Sequence, residues 1–407
     1  MHKIERLLQT LVPKGVEFRK LGEVCDFQKG KSITKKAVTF GKVPVISGGR
    51  QPAYYHNEAN RSGETIAISS SGVYAGYVSY WDVPVFLADS FSVSPKQKTL
   101  MPKYLFHYLT TQQDAIHATK STGGIPHVYS KDLQNFLIPI PPLEIQQEIV
   151  KILDAFTELN TELNTELKAR KKQYQYYQNM LLDFNDINSN HKDAKEKLAQ
   201  KTYPKRLKSL LQTLAPKGVE FRKLGEVLEY DQPNKYCVTG KEFDKSYPTP
   251  VLTAGKTFIL GYTNEKDNIY QASKSSPVII FDDFTAATQW VDFPFKVKSS
   301  AMKILLPKNP TINIRFIFFY MQTIPYNISG EHTRQWISRY SQIQIPIPPL
   351  EIQQEIVKIL DQFSILTTDL LAGIPAEIEA RKKQYEYYRE KLLSFKPLTP
   401  HKEVKKC

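Results

Sequence analysis

Two long stretches of the chain repeat apolar side chains at steps of three and four residues, which predicts two long amphipathic helices. The first covers 144–184 and sets its apolar stripe against a face rich in Glu, Gln and Lys. Alternating steps of three and four form a coiled-coil seam, and consecutive steps of four form a local stutter, so each helix requires a partner. The first stripe consists of Ile145, Ile149, Ile152, Phe156, Leu159, Leu163, Leu167, Tyr174, Tyr177 and Leu181.

The second helix carries the same stripe from Ile352 to Leu392, with one additional step of four residues. Gly373 and Pro375 predict a break or kink, because proline is tolerated only in the first turn of the helical part that follows. The first helix instead carries a four-residue TELN repeat at 157–167. Such a helix extends about 60 Å and cannot bury its stripe in a small domain. We therefore expect the two helices to pair antiparallel as a coiled coil, with two separate helical hairpins as the alternative.

The sequence contains the same module twice. Three shared segments recur, and only Val12/Ala215 differs in the first pair, whereas the second pair is identical. The pairs are 7–24 and 210–227, 138–154 and 345–361, and 166–184 and 377–395. Two stretches of strongly different sequence, here called insert 1 and insert 2, lie between the shared segments. Two different inserts on one repeated frame indicate a reader with two specificities.

The inserts are predicted to be mainly strand and turn. In insert 1, 65–86 combines β-branched and aromatic residues with Gly and Pro, and 277–281 and 293–297 of insert 2 are similar. Short helices are expected at 102–118 and 314–323. The predicted boundaries are 1–24 for an N-terminal segment, 25–137 for insert 1, 138–184 for the first helix, 185–208 for a basic linker, 209–227 for the repeated segment, 228–344 for insert 2, 345–395 for the second helix and 396–407 for a C-terminal tail.

The charge balance adds a class of partner. Lys and Arg number 55 against 41 Asp and Glu, a formal net charge of +14, which favours nucleic acid or a membrane surface. A solvated face is the simpler explanation for the basic stretch around the linker. The chain has neither a membrane-spanning apolar run nor a signal-peptide core, so we expect a cytoplasmic protein. Three cysteines without a CxxC spacing predict neither a disulfide framework nor a zinc site.

Motifs for catalysis are missing from the sequence. AGKT at 254–257 resembles the end of a phosphate-binding loop, but Pro250 stands where that motif requires glycine. The sequence has no dinucleotide-type glycine pattern, no HExxH and no G-x-S-x-G elbow. Asp282 and Asp283 are adjacent in a predicted strand, so their side chains point to opposite faces and make a poor metal pair. We therefore expect no intrinsic catalysis and no metal site.

The chain resembles the specificity subunits of type I restriction-modification systems over nearly its whole length. The resemblance is carried by PKGVEFRKLGEV at 13–24 and 216–227, by the segments 121–150 and 330–357, which both end in PIPPLEIQQEIV, and by ARKKQYEYYREKLL at 380–393. It implies an α+β fold with two mixed α/β target recognition domains, separated by an antiparallel coiled coil of two long helices in an internal pseudo-two-fold repeat. The extra residues and the break make the second helix unequal to the first.

The resemblance also implies a function and a set of partners. Each recognition domain is expected to read one half of a bipartite site in double-stranded DNA, while the coiled coil sets the spacing. Two methyltransferase (M) subunits are expected to dock on the shared helices, and restriction (R) motor-nuclease subunits to join for cleavage. S-adenosylmethionine, ATP and Mg²⁺ are expected in those partners and not in this chain.

Candidate DNA contacts follow from residue type and from position after predicted turns. Arg and Lys read guanine, and Asn and Gln read adenine, in the major groove. Arg50 aligns with Lys256 across the repeat, which favours a shared phosphate or base contact over an accident, with ordinary solvated loop residues as the open alternative for each candidate. The candidates are Arg50, Gln51, Tyr54, Asn57, Tyr74 and Lys96 in insert 1, and Lys256, Thr257, Asn264, Gln289, Arg334 and Arg339 in insert 2.

Two other classes of function remain open from the sequence. A stand-alone DNA-modifying enzyme would show activity as the purified chain. A coiled-coil scaffold without DNA contact would explain the helices but neither the charge of +14 nor the two divergent inserts.

Overall fold

The chain folds into two units that each combine an insert with its shared segments. The computed structural model describes residues 2–96, 98–121, 124–190, 192–254, 257–325, 334–368 and 373–398. Unit 1 comprises Met1–Thr165 and Glu377–Cys407, and unit 2 comprises Glu166–Ala376.

Among its described residues, unit 1 holds nine strands, five complete helices and parts of two more. Its strands are β1 (Phe18–Lys20), β2 (Cys25–Lys29), β3 (Phe40–Ile46), β4 (Tyr54–His56), β5 (Thr65–Ser69), β6 (Val78–Trp81), β7 (Phe86–Leu87), β8 (Ser90–Pro95) and β9 (Leu137–Pro139). Its helices are α1 (His2–Leu11), α2 (Leu21–Val24), α3 (Pro102–Thr111), α4 (Gln113–Ala118), α5 (Ser130–Leu133), the first part of α6 (Leu143–Leu182) and most of α13 (Ile374–Leu393).

Unit 2 repeats this order of elements. Its strands are β10 (Phe221–Lys223), β11 (Leu228–Asp231), β12 (Thr249–Leu252), β13 (Ile259–Thr263), β14 (Val278–Asp282), β15 (Thr288–Val291), β16 (Lys296–Val297), β17 (Met302–Pro307) and β18 (Gln344–Pro346). Its helices are the second part of α6, α7 (Ala194–Gln200), α8 (Lys205–Leu214), α9 (Leu224–Val227), α10 (Ile314–Met321), α11 (Gln335–Ser338) and α12 (Leu350–Thr368).

The two inserts share one sheet topology, although their sequences differ strongly. Insert 1 has a four-stranded sheet β2-β8-β5-β6 and a three-stranded sheet β4-β3-β7, and insert 2 has β11-β17-β14-β15 and β13-β12-β16. In each three-stranded sheet one pair is parallel, β3 with β7 and β12 with β16. A two-stranded ribbon joins each insert to its frame, β1 with β9 and β10 with β18. The α+β fold class and the internal repeat are thus confirmed.

A buried glutamine fixes the start of each long helix to its insert. The Gln146 amide is fully buried, donates to the carbonyls of Thr99 and Pro141, and accepts from the Met101 amide at 2.9 Å. In unit 2, Gln353 makes the corresponding bonds to the carbonyls of Thr311 and Pro348 and from the Asn313 amide. Because a buried amide must be fully paired, this geometry explains the identical LEIQQEIV segments.

Replacing Gln146 by leucine is expected to lower the free energy of unfolding by about 1–3 kcal/mol, because backbone groups would lose their partner inside the protein. Gln147 is the matched control, since it occupies the next position of α6 and is exposed. Chemical denaturation of the Gln146→Leu and Gln147→Leu variants measures the difference. Equal midpoints for the two variants would contradict the structural role of Gln146.

A left-handed glycine docks each leading segment against another part of the chain. Gly15 has φ +115°, and a Cβ there would lie 2.5 Å from the Lys396 carbonyl oxygen, while Gly218 has φ +99° and lies equally close to that of Ile187. The Val16 amide donates to the Lys396 carbonyl, and the Val219 amide to the Ile187 carbonyl. Only glycine fits both the backbone conformation and the space. The predicted tail at 396–407 therefore starts with ordered residues that complete unit 1.

The segment 185–208 was predicted to be a basic linker, and the structure corrects this prediction because the segment packs into unit 2. It contains α7 and the first residues of α8. Its few apolar side chains, Ile187, Leu198, Tyr203 and Leu207, all belong to the main core cluster of the unit. Lys201 bonds Asp183 at 2.9 Å and Asp186 at 3.1 Å. Composition suggested a linker because polar residues dominate, but the sparse apolar positions are those that face the core.

The helix α6 pairs with a different helix in each unit. In unit 1, Phe156 stacks on Tyr388 of α13, with ring centroids 5.5 Å apart. In unit 2, Tyr177 stacks on Phe363 of α12 at 4.9 Å. In each unit, α6 thus packs against one part of the second predicted long helix. At the predicted break the described residues are α12, which ends at Thr368, the non-helical Gly373, and α13, which begins at Ile374 with Pro375 in its first turn.

Candidate nucleic-acid interface

Four chain segments meet at one end of the insert 1 sheets, here called tip 1 (residues 47–51, 70–76, 88–89 and 124–129). A Cβ on Gly48 would lie 2.6 Å from the Ser71 carbonyl oxygen, so the first two loops are in direct contact. The Ser70 amide donates to the Asp89 carbonyl, and the Gly72 amide to the Pro126 carbonyl. The first three of these segments follow the ends of β3, β5 and β7, so strands of the two sheets fix their positions.

Arg50 and Tyr74, both predicted contacts, are adjacent in tip 1. The Arg50 guanidinium carbon lies 5.0 Å from the Tyr74 ring centroid and 5.6 Å from that of Tyr77. Arg50 is exposed and Tyr74 is 41% exposed, so both present polar groups to solvent. Burial lowers the pKa of nearby His117, and the charges of Lys120 and Arg50 act in the same direction. A cation–π pair holds the guanidinium in a defined direction while its donors remain available.

The other insert 1 candidates lie around or beyond this pair. Gln51 is exposed next to Arg50. Tyr54 is on β4 opposite Val45, and Asn57 is exposed just after that strand. The ammonium of Lys96 donates to the Gly22 carbonyl at 2.8 Å, and that of Lys308 in unit 2 donates to the Gly225 carbonyl at 2.6 Å. The same bond thus recurs in both units, and Lys96 is exposed.

Tip 2 is the corresponding end of the insert 2 sheets (residues 253–254, 257, 283–287, 298–301 and 334–336). The Lys298 amide donates to the Leu252 carbonyl, as the Ala88 amide does to Ile46 in insert 1. The Gln335 amide donates to the Asp283 carbonyl, as the Val128 amide does to Ser70. The repeated bonds show that one arrangement of loops is used twice.

The insert 2 candidates are distributed over tip 2 and its neighbourhood. Thr257 and Arg334 are exposed residues of tip 2, whereas Lys256 lies outside the described residues. Asn264 is exposed after β13, and Gln289 is exposed on the edge strand β15. Arg339 is exposed at the end of α11. The residue after Asn264 is Glu265, whose carboxylate lies 2.7 Å from the ammonium of the buried Lys296. The hydrogen bond from Lys296 and a second one from the Gly240 amide lower the pKa of Glu265 to about 2.

A buried ion pair beneath tip 2 was not found by sequence reasoning. The Lys303 ammonium lies 3.7 Å from the Asp283 carboxylate, and both side chains are almost fully buried. Asp283 also accepts from the Trp336 amide at 2.8 Å, which attaches the segment after Arg334 to the sheet. Burial lowers the pKa of Lys303, while Asp283 opposes that shift. Asp282 instead accepts from Phe284 and Thr285, so the two aspartates serve different partners, as their alternation predicted.

Within the described residues, His, Cys, Asp and Glu form no group of three or more that could hold a metal ion. No helix in the described part of the chain combines the length and the apolar character needed to cross a membrane.

Comparison with known proteins identifies the class to which this repeated architecture belongs. Residues 13–173 and 216–380 match the type I restriction modification DNA specificity domain. The chain therefore belongs to the family of type I restriction-modification specificity subunits. The matched ranges contain both inserts and most of both long helices.

Individual relatives give the extent of the similarity. The chain is 55% identical over 188 residues to the EcoR124I/EcoR124II type I restriction enzyme specificity subunit of Escherichia coli, covering 44% of this chain and 45% of that protein. It is 28% identical over 426 residues to a putative type I restriction enzyme specificity subunit of Haemophilus influenzae, covering 96% and 98%. The crystal structure of a type I restriction-modification S subunit from M. genitalium has the same fold, with a TM-score of 0.63 at 18% identity over 93% of this chain and 96% of that one.

Proposed function

We propose that this chain reads a bipartite DNA sequence for a type I restriction-modification complex, with one insert for each half of the target. The observation that carries the proposal is the repeated tip. Both inserts place the same loops at the same sheet ends, but with different side chains, such as Arg50 with Tyr74 in tip 1 and Arg334 with Thr257 in tip 2. The same loop arrangement with different exposed side chains is suited to two different half-sites.

Exposed side chains of the right chemistry support a DNA contact. Arginine donates to guanine and to phosphate, and an aromatic ring beside it restricts the direction of those donors. The overall charge of +14 favours association with a polyanion. A scaffold without DNA contact would require neither feature.

The frame supports the docking of two like subunits on the shared helices. Tyr176 on α6 and Tyr387 on α13 occupy equivalent positions of the repeat and are 61% and 59% exposed. A large apolar ring that is exposed at both copies of one segment is typical of an interaction surface. We propose that two methyltransferase subunits bind these copies and that motor-nuclease subunits join them. S-adenosylmethionine, ATP and Mg²⁺ would then act in those partners.

The purified chain alone is expected to neither cleave nor methylate DNA. After addition of its methyltransferase subunit, adenine methylation is expected at a two-part sequence with a fixed non-specific gap. Single-molecule sequencing of DNA treated with the chain, with the methyltransferase or with both measures this result. Methyl transfer by the chain without a partner would overturn the proposal, as would methylation by the pair at scattered sites.

A further inference from the structure

Tip 1 contains an exposed carboxylate at the position where a DNA-reading surface would meet its target. Asp89 lies between β7 and β8, directly before Ser90, and is exposed. An acidic side chain repels the phosphates of DNA. A carboxylate in the contact surface therefore lowers the affinity for DNA unless it accepts a hydrogen bond from a donor on the DNA. On the edges of the bases, that donor is an exocyclic amino group.

Backbone hydrogen bonds hold Asp89 and its two neighbours in place. The Ala88 amide and the Ser90 hydroxyl both bond the Ile46 carbonyl, at 2.8 Å and 3.0 Å, and the Ser70 amide bonds the Asp89 carbonyl. These bonds tie the residue to the ends of β3 and β5. A group carried by the ends of two sheet strands keeps its position when a ligand binds.

The side chain of Asp89 is also oriented. The Ser71 hydroxyl donates to Oδ2, and no other hydrogen bond to this carboxylate occurs among the described residues. Ser71 itself is held by its bridge to His127. One carboxylate oxygen is thereby engaged, which sets the direction of the other.

Insert 2 has a different residue at this place. Its loop between β16 and β17, residues 298–301, reads Lys-Ser-Ser-Ala and contains no acid. The carboxylate is therefore not needed to form the shared fold of the loops. It belongs to the set of positions at which the two tips differ, together with Arg50 and Tyr74.

We propose that Asp89 determines one base of the half-site read by insert 1, by accepting a hydrogen bond from the N4 amino group of cytosine in the major groove. Carboxylates accept from that amino group, whereas guanine and thymine present no amino donor there and adenine presents its amino group beside the N7 acceptor, which repels a carboxylate. The inference rests on the proposed function. It adds Asp89, as a hydrogen-bond acceptor, to the donors and the aromatic ring that Arg50 and Tyr74 bring to tip 1.

Substitutions at Asp89 test the inference in the complete complex with the methyltransferase subunit. Asp89→Asn keeps an acceptor for Ser71 but brings a donor to the surface, and Asp89→Ala removes both. Asp82→Asn is the matched control, because Asp82 is an exposed aspartate of the same insert outside tip 1. Mapping all methylated adenines by sequencing gives the recognised bases for each variant.

We expect Asp89→Asn and Asp89→Ala to relax or change one base pair of a single half-site, with discrimination at that pair reduced about 5- to 150-fold. The other half-site and the gap should stay the same, and Asp82→Asn should match the wild type. Binding to unrelated DNA should rise in both Asp89 variants, since a negative charge has been removed.

Different failures have different meanings. Wild-type methylation without a bipartite site would overturn the proposed function and the inference together. A normal wild-type site that is unchanged in both Asp89 variants would overturn only the inference. A site lost in Asp89→Ala but fully kept in Asp89→Asn would assign Asp89 to holding Ser71, and would also overturn it.

Discussion

Inserting one TELN unit into α6 is expected to change the non-specific gap of the target by one or two base pairs and to leave both half-sites unchanged. Four residues add about 6 Å of helix and close to one full turn. Leu159, Leu163 and Leu167 are half-buried at steps of four, so the apolar stripe continues through an added unit. DNA rises about 3.4 Å per base pair, so the added length matches a change of this size.

Local contacts are the reason to expect that α6 accepts whole TELN units. The hydroxyls of Thr161 and Thr165 each bond the carbonyl four residues earlier, so the unit repeats its own local contacts. Inserting two residues should instead rotate the stripe by about 160° and disrupt packing or docking. Thr161→Ala, which leaves the length unchanged, is the control. Methylome sequencing of the three variants decides, and an unchanged gap after a full-unit insertion would show that α6 does not set the spacing.

Exchanging insert 1 for an insert of another family member is expected to replace one half-site completely and to preserve the other. The exchange boundaries lie at the α2–β2 junction, after Val24, and inside β9, at Ile138. Contacts across them include hydrogen bonds to backbone groups of the insert, from the Leu21 amide to the Phe136 carbonyl and from the Gln146 side chain to the Thr99 carbonyl. Backbone contacts do not depend on which side chains the new insert carries.

The reciprocal exchange is the control for that experiment. Insert 2 is held by the equivalent bond from the Leu224 amide to the Ile343 carbonyl, so its exchange should replace only the second half-site. Methylated sites of both chimeras are read by sequencing with the same methyltransferase subunit. If either chimera altered both halves, the independence of the two readers would be refuted.

Much of the local structure could be predicted from the sequence. The helix predicted at 102–118 is present as α3 and α4, and that at 314–323 as α10. The strand at 277–281 appears as β14, shifted by one residue, whereas only the last two residues of 293–297 form a strand. In that segment Pro294 lacks the amide that a ladder requires, which shortens β16.

The candidate site could be predicted only in part. Arg50 and Tyr74 lie together, although 24 positions separate them and no sequence pattern links them. Lys96 stays a predicted DNA contact, and its residue type did not show that its ammonium donates to the Gly22 carbonyl. Charge and residue type identify what a side chain can bind, but not which neighbour already occupies it.

The sequence by itself determined the repeat, the two long helices, the break before Pro375 and the family, because these depend on identity between segments and on local periodicity. Only the tertiary structure decided that 185–208 packs into a core and that Asp89, Ser71 and Arg50 share one end of a sheet. Those relations arise from pairing between distant strands, β3 with β7 and β5 with β8. Which strands pair depends on how the whole sheet buries one of its faces. The residues of a single segment do not carry that information.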